Sequence, residues 1–400
     1  REAGPMSIGP SELLLDSTPR QEHIRVSTPS KTRLRVGILG SGNIAVAHAR
    51  GWTSFPDAAE IVAFADIDTA RAQRMCDQYA EGRAVAFGSG EEMLAETELD
   101  VVDICLPHHL HTDAIIAAAR AGKSILCEKP LCTTLEDAAK IRDVVKETGV
   151  VFMGAHNQLF QPSLLEARRL MAGGFLGNPY LFRSIETFQS RTWQKFGTAD
   201  TDQRDWGWRS DVKQAGGGEL IDTGYHGTYR LLSLAGSRPV EVTALLSNFF
   251  QKGLKTEDTA QVLVRFESGA VGEILTSWAL DVVNAKHFEV QGELGSLSGG
   301  KSSLEHQIHG WPDSAVNTFD LVHSFTLEIG HFIDVVREDA PNPSDIDETA
   351  RTLQVIKAAY LSADLGRTVQ LPDDPTAPAT VDGKAVSTPA SVSVSEDAKA

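Results

Sequence analysis

Cysteine is scarce. Four thiols in 400 residues (Cys76, Cys105, Cys127 and Cys132) cannot form a disulfide framework. Three of them fall in or beside apolar strand-like runs, a pattern that fits a reducing cytoplasm. Long hydrophobic runs are missing as well: no uninterrupted apolar stretch approaches the ~20 residues that a membrane span needs, so no transmembrane helix is expected. Positive charge is in deficit, with Lys+Arg 37 against Asp+Glu 54 and a net charge of −17. With no localised basic patch, that balance repels phosphate backbones and anionic bilayers, so neither nucleic acid nor membrane is an expected partner.

What remains is ordinary for a soluble globular chain: 42% hydrophobic and 23% charged residues. The length exceeds the usual ~150 residues per domain more than twofold, which predicts two folded domains with unstructured ends. Residues 1–31, rich in Pro, Ser and Glu, read as a loose tail without the basic start and apolar stretch of a secretory signal. Residues 372–400 contain no aromatic residue and too little apolar surface to offset the entropy of ordering, and are expected to be disordered.

Between the tails, residues 32–154 alternate short apolar runs with helical patterns, the signature of a parallel sheet covered by helices. Strands are expected at Leu34–Leu39, Ile61–Asp66, Val101–Leu106, Ser124–Glu128 and Val150–Gly154. Runs such as VVDICL read as strands buried on both faces. Residues 155–371 follow another order: a helix at Ser163–Met171, a strand, a long polar loop, a helix at Glu219–Leu234, consecutive strands from Val240 to Ile308, then helices at Asp320–Arg337 and Asp345–Asp364. This predicts an α+β domain around a large, mostly antiparallel open sheet, with one face for helices and the other for solvent or a second subunit.

The first strand runs into Gly40-Ser41-Gly42-Asn43-Ile44-Ala45, a G-x-G-x-x-A turn between strand and helix. Gly40 permits the tight turn, Gly42 lets the backbone approach a pyrophosphate, and Ala45 allows close helix–strand packing, while the helix N-terminus aims free N–H groups at the phosphates. Asp66 ends the second strand near the ~20-residue offset expected for the acid that binds the ribose hydroxyls. Its carboxylate would repel a 2′-phosphate, so NAD is expected over NADP, although Asp68 and Arg71 stand close by.

The strand at Ser124–Glu128 leads into Glu128-Lys129-Pro130, at the carboxyl edge where doubly wound folds bind ligands. Much later, Gly216-Gly217-Gly218 precedes Asp222 and His226, four residues apart and on one helical face. Oxidising a secondary alcohol needs a base for the hydroxyl proton and a donor to hold the oxygen. His226, Asp222 and Lys129 supply such a set. Taken singly, a lysine at a turn is usually a solvated charge, and an Asp/His pair at helical spacing is often a surface pair.

Taken together, these residues resemble the Gfo/Idh/MocA oxidoreductases. The resemblance covers about residues 33–371 and rests on Gly40-Ser41-Gly42, Glu128-Lys129-Pro130, Trp208-Arg209, and Gly216-Gly217-Gly218-x-x-x-Asp222-x-x-x-His226. It implies a Rossmann NAD-binding domain followed by a substrate-binding and oligomerisation domain whose open sheet packs in homodimers or homotetramers. Lys129, Asp222 and His226 are catalytic by that carry-over, with His226 assigned as base and Lys129 as polariser. Leu106, Pro107, His108 and His111 are expected to border the cofactor, together with Gly40, Ser41, Gly42, Asn43, Ile44, Asp66, Glu128, Lys129, Asn157 and Arg209. The substrate is expected among Lys129, His156, Asn157, Trp206, Arg209, Asp222 and His226. Where relatives often carry an asparagine followed by an arginine, Gln158 and Leu159 stand here, so the substrate does not transfer from any one relative. The histidines at 108, 109 and 111 have no nearby Cys or acid to complete a tetrahedral set, and no metal is expected.

The loop Arg191–Arg209 interleaves Trp193, Trp206 and Trp208 with Arg191, Arg204 and Arg209, an arrangement that can stack on a sugar face and bond its hydroxyls. Negative charge disfavours polyanionic substrates. The sequence therefore points to NAD-dependent oxidation of a secondary hydroxyl of a neutral sugar, cyclitol or glycoside. Two alternatives stand beside it: a redox-neutral enzyme that keeps NAD bound, and a non-catalytic NAD-sensing regulator.

Overall fold

The structure is a computed structural model that describes residues 32–188, 206–251, 254–280 and 286–386. The first half lays down β1 (Leu34–Leu39), α1 (Asn43–Thr53), β2 (Ala59–Ala65), α2 (Thr69–Tyr79), β3 (Val85–Phe87), α3 (Gly90–Glu96), β4 (Val101–Ile104), α4 (His111–Arg120), β5 (Ser124–Glu128), α5 (Leu135–Thr148) and β6 (Phe152–Ala155). The six strands form one sheet in the order β3-β2-β1-β4-β5-β6, and every pairing is parallel. The strand order reverses between β1 and β4, which opens a crevice at the carboxyl ends of the strands. Val36, Ile38, Val101 and Ile104 are fully buried, as expected for strands covered on both faces.

Local chemistry sets the helix ends. Asp68, Thr134 and Asp345 cap α2, α5 and the last long helix through side-chain oxygens, and Gly149 closes α5 in the left-handed conformation. In α1, Ala45, His48, Ala49 and Trp52 form the buried stripe at helical spacing. The strand β3 and helix α3 have no counterpart among the expected elements: three residues are too few to show a period.

The second half continues with α6 (Pro162–Ala172), β7 (Pro179–Thr187), α7 (Val212–Ala215), α8 (Glu219–Asp222), α9 (Gly224–Ala235), β8 (Pro239–Ser247), β9 (Thr259–Phe266), β10 (Val271–Ser277), β11 (Phe288–Gly292), β12 (Gly295–Gly299), β13 (Ser303–Ile308), β14 (Ala315–Thr318), α10 (Ser324–Val336), α11 (Ile346–Leu365), β15 (Val369–Gln370), β16 (Thr380–Val381) and β17 (Lys384–Ala385). The eleven strands order as β14-β13-β12-β11-β7-β10-β9-β8-β15-β16-β17. Only β7 and β10 pair in parallel, so the sheet is mostly antiparallel, as the sequence predicts. Helices α9 and α11 cover one face. On the other, Leu181, Leu245 and Leu263 stay exposed among the ion pairs Arg183–Glu273 and Arg265–Glu241.

Two expectations are corrected. The helix expected over Glu219–Leu234 breaks at Thr223 into α8 and α9, and at Gly224, just past the break, the chain lies so close to β10 that a Cβ would sit 2.8 Å from Thr276. Residues 372–386, expected to be disordered, instead carry β16 and β17. Arg351 and Gln354 hold the backbone carbonyls of Pro372, Asp374 and Ala377, and Ala379 is buried. Besides these, α10 packs on α1, and α11 on α5 and β6. Phe332 meets Trp52 edge-on at 6.1 Å, and Asn342 Nδ2 donates to the Phe152 carbonyl at 2.7 Å. Burial of a ring such as Phe332 contributes ~1.5–3 kcal/mol. Among the described residues, no helix is long and apolar enough to cross a membrane.

Candidate active site

The turn after β1 has the geometry of a phosphate cradle. Gly40 sits at φ +96, and a Cβ there would lie 2.4 Å from the Cys105 carbonyl, so only glycine fits. At Gly42 a Cβ would meet nothing within 4 Å: that space is open at the mouth of α1. The N-terminus of α1 has no side-chain cap, leaving the N–H groups at Asn43 and Ile44 to an incoming anion, and the buried Ser41 hydroxyl has no partner. These features fit the pyrophosphate of a dinucleotide. Asp66 lies beside the turn, Oδ2 accepting from the Ser41 N–H at 2.8 Å and Oδ1 from the Asp68 N–H at 2.8 Å.

Across the crevice, the Glu128-Lys129-Pro130 turn meets α8. Lys129 Nζ donates to the Asp222 carbonyl at 2.8 Å and to its carboxylate at 3.1 Å, and Arg209 Nε donates to the other carboxylate oxygen at 2.6 Å. Burial works against the Asp222 carboxylate, but Lys129 and Arg209 outweigh it and hold its carboxyl well below the usual carboxylate range. The acid is ionised and occupies two of the three lysine N–H donors. Arg209 also lies 4.2 Å over the Trp208 ring, whose edge meets His108 at 4.4 Å. His108 Nδ1 is 2.8 Å from the Ala215 carbonyl, just before the triple glycine. Trp206 stacks on Trp278 at 5.1 Å, and Trp278 Nε1 donates to Thr223 at the α8–α9 break.

His226, on the first turn of α9, is half-buried, and its Nδ1 lies 2.7 Å from Tyr229 Oη. Burial and then the Lys129 charge push its imidazole down to about 4, so the ring is neutral at physiological pH. The structure thus gathers Lys129, Asp222, Arg209 and His108 into one contact set, with His226 within the electrostatic reach of Lys129. Trp193, Arg191 and Arg204 lie outside the described residues.

Other expected site residues are placed differently. His111 is fully buried, with Nδ1 2.7 Å from the Pro130 carbonyl and Nε2 2.9 Å from that of Leu106; it ties the two loops together and offers no surface to a ligand. Leu106 and Pro107 remain half-buried beside it. His156 is 2% exposed and stacks flat on Tyr229 at 4.3 Å, while Asn157 is 7% exposed and gives its Nδ2 to Ser324 at 2.9 Å. Both brace Tyr229. Glu128 is committed on two sides: Oε2 accepts the Lys129 N–H at 2.9 Å, and Oε1 is 3.1 Å from His48 Nε2.

Sequence reasoning missed this last network. His48 Nδ1 lies 2.9 Å from Asp103, which also accepts from Trp52 Nε1 at 2.7 Å. Burial opposes the imidazolium, but Asp103 outweighs it and raises the His48 pKa well above its ordinary value. His48, Asp103 and Cys105 are close enough to hold a metal ion, yet their polar atoms already bond one another. The spacing of His48 eight residues after Gly40, on the buried stripe of α1, was the available signal. A second missed group supports the triple glycine: Lys357 Nζ donates to the Gly216 carbonyl at 2.8 Å, and Tyr360 Oη donates to Glu257 at 2.8 Å while accepting the Gly218 N–H at 3.2 Å.

Comparison with known proteins assigns the chain to a family. Residues 34–156 match a family described as "Oxidoreductase family, NAD-binding Rossmann fold", and residues 164–298 match the "GFO/IDH/MocA C-terminal domain". The chain is 29% identical over 353 residues to scyllo-inositol 2-dehydrogenase (NAD(+)) of Bacillus subtilis strain 168, covering 85% of this chain and 96% of that protein. It is also 29% identical over 342 residues to D-xylose 1-dehydrogenase (NADP(+)) 2 of Haloferax volcanii, covering 84% and 99%. An NAD binding oxidoreductase from Klebsiella pneumoniae has a solved structure that matches with a TM-score of 0.73 and 27% identity, over 86% of this chain and all of that one.

Proposed function

Because the chain belongs to the Gfo/Idh/MocA oxidoreductase family and carries its NAD-binding Rossmann domain, we propose that it oxidises a secondary hydroxyl of a neutral sugar, cyclitol or glycoside. The observation that carries this reading is the ionised Asp222 holding Lys129 and Arg209 beside a neutral His226. Bound NAD supplies a nicotinamide that accepts hydride from the carbinol carbon. The third N–H of Lys129 holds the substrate oxygen, which draws charge onto that oxygen as the O–H bond weakens. His226 Nε2 takes the hydroxyl proton, so the C–OH becomes C=O with one hydride and one proton accounted for. Trp206, Trp208 and Arg209 supply apolar faces and a donor on the substrate side, a combination suited to a polyol. The relatives named for an inositol and a pentose support the same class.

The Asp66 carboxylate beside the Gly40–Gly42 turn favours NAD over NADP, since a 2′-phosphate would bring a second negative charge to it. The exposed leucines on the open sheet favour a homodimer or homotetramer, which light scattering of the purified chain would measure.

The test is nicotinamide fluorescence of the purified protein with NAD against inositols, monosaccharides, anhydrosugars and glycosides. Multiple turnovers with one compound class support a dehydrogenase. A rise limited to one equivalent of protein points to the redox-neutral enzyme with NAD held, and NAD binding with no reduction across the panel overturns the catalytic reading.

A further inference from the structure

The phenol of Tyr229 is 2% exposed and stands where three polar groups converge. The backbone N–H of Gln158 donates to it at 3.2 Å, Asn157 Oδ1 lies 3.5 Å away, and His226 Nδ1 lies 2.7 Å away. One of these roles is fixed by chemistry, since a backbone N–H can only donate, and a second by placement: Asn157 gives its Nδ2 to Ser324 Oγ and turns its carbonyl oxygen, an acceptor, toward the phenol. A phenol has one proton. Sent to His226, it would leave the buried Asn157 oxygen without that donor; sent to Asn157, it leaves a phenol lone pair for an Nδ1–H. Only the second arrangement satisfies all four groups, and an unmade bond at a buried polar atom costs ~1–3 kcal/mol.

We propose that Tyr229 is a positioning residue that keeps the neutral His226 protonated on Nδ1, so that Nε2 carries the lone pair. This deepens the reading above and rests on it in one respect, that His226 receives the hydroxyl proton. Lys129 agrees with that division of labour, because two of its N–H groups are already given to Asp222 and the third serves as a donor. Face-to-face stacking on His156, with the ring planes 8° apart, fixes the Tyr229 ring and hence the line from Oη to Nδ1. The relay plays the part that a carboxylate plays toward histidine in a Ser-His-Asp triad, with a neutral phenol as the acceptor.

The test has two arms on the full chain loaded with NAD. In the first, Tyr229→Phe keeps the stacked ring and removes the acceptor. With any panel compound that the parent chain oxidises, kcat is expected to fall about 10²-fold, with KM and the NAD dissociation constant within twofold. In the second, long-range 1H–15N correlation of ¹⁵N-histidine-labelled protein, with His226 assigned from His226→Gln, is expected to show a protonated Nδ1 and a bare Nε2. An unchanged kcat in Tyr229→Phe, or a proton on Nε2 in the parent chain, overturns the proposal. If the panel gives no turnover, the oxidoreductase reading fails while the tautomer is still decided by the spectrum, and the same spectrum serves if Tyr229→Phe does not fold.

Discussion

Lys129 Nζ binds Asp222 twice, at the backbone carbonyl and at the carboxylate, and so joins the end of β5 to the end of α8. In the proposed reaction, removing the lysine removes the donor to the substrate oxygen but leaves the cradle at Gly40–Gly42 untouched. Lys129→Ala is therefore expected to lower kcat by about 10²–10³-fold, with the NAD dissociation constant changed less than threefold. Steady-state kinetics with a compound from the panel, together with fluorescence titration of NAD, checks both halves.

The depressed imidazole of His226 sets the pH profile. A base must be unprotonated to work, and burial plus Lys129 push its pKa down to about 4. kcat/KM is expected to stay level from about pH 5.5 through neutrality. Below the His226 pKa of about 4 it should drop tenfold per pH unit. An acid limb at the ordinary histidine value near 6.5 would contradict the assignment.

His48 predicts a stability effect with the opposite sense. Its folded pKa is raised, so its contribution is fully present below the unfolded value near 6.5 and declines as pH rises through the folded value. Urea unfolding of the parent chain should show that decline. His48→Ala, which leaves the Asp103 and Glu128 carboxylates buried without their shared cation, is expected to cost ~3–5 kcal/mol at pH 6.

Two glycines separate folding from binding. A Cβ at Gly217 would fall 2.2 Å from the Tyr360 hydroxyl at φ +156, so Gly217→Ala should lower the melting temperature by several degrees. A Cβ at Gly42 meets no protein atom. Gly42→Ala is expected to keep stability within about 1 kcal/mol and to weaken NAD binding at least tenfold, read by calorimetry and fluorescence titration.

Asp66 predicts cofactor choice. Asp66→Ala should narrow the gap between NAD and NADP, measured as the ratio of kcat/KM values at fixed substrate, because the charge that opposes a 2′-phosphate is gone. A chain that prefers NADP before the change would refute the assignment.

Much of the architecture was legible because its causes are local. Strands covered on both faces are rich in apolar residues, and the run at Val101–Leu106, apolar apart from Asp103, shows that directly. The turn at Gly40–Gly42 is constrained by its own backbone. Lys129, Asp222 and His226 could be named because the Glu128-Lys129-Pro130 turn and the four-residue spacing after the triple glycine single them out, and the family resemblance gives them a role. The rest depends on distant partners: His48 meets residues 55 and 80 positions away, and nothing near it in sequence announces Asp103 or Glu128. Tyr229 reads as one more buried aromatic of α9 until Asn157 and Gln158, about 70 residues earlier, are brought beside it. The same long-range placement gives His156, Asn157 and His111 internal partners that their sequence neighbourhoods do not announce.

The contacts from Lys129 to Asp222 and from His108 to Ala215 bear on how such a chain can be re-engineered. In the proposed reaction the donor for the substrate oxygen, Lys129, comes from one half of the molecule, and the carboxylate that orients it, Asp222, comes from the other. A chimera that grafts the C-terminal half of another oxidoreductase onto residues 33–156 would inherit a cofactor preference intact. It would turn over only where the incoming half supplies a carboxylate at the Asp222 position and a backbone path that brings the residue 215 carbonyl to His108, so recombination libraries should exchange Lys129 and Asp222 as a matched pair.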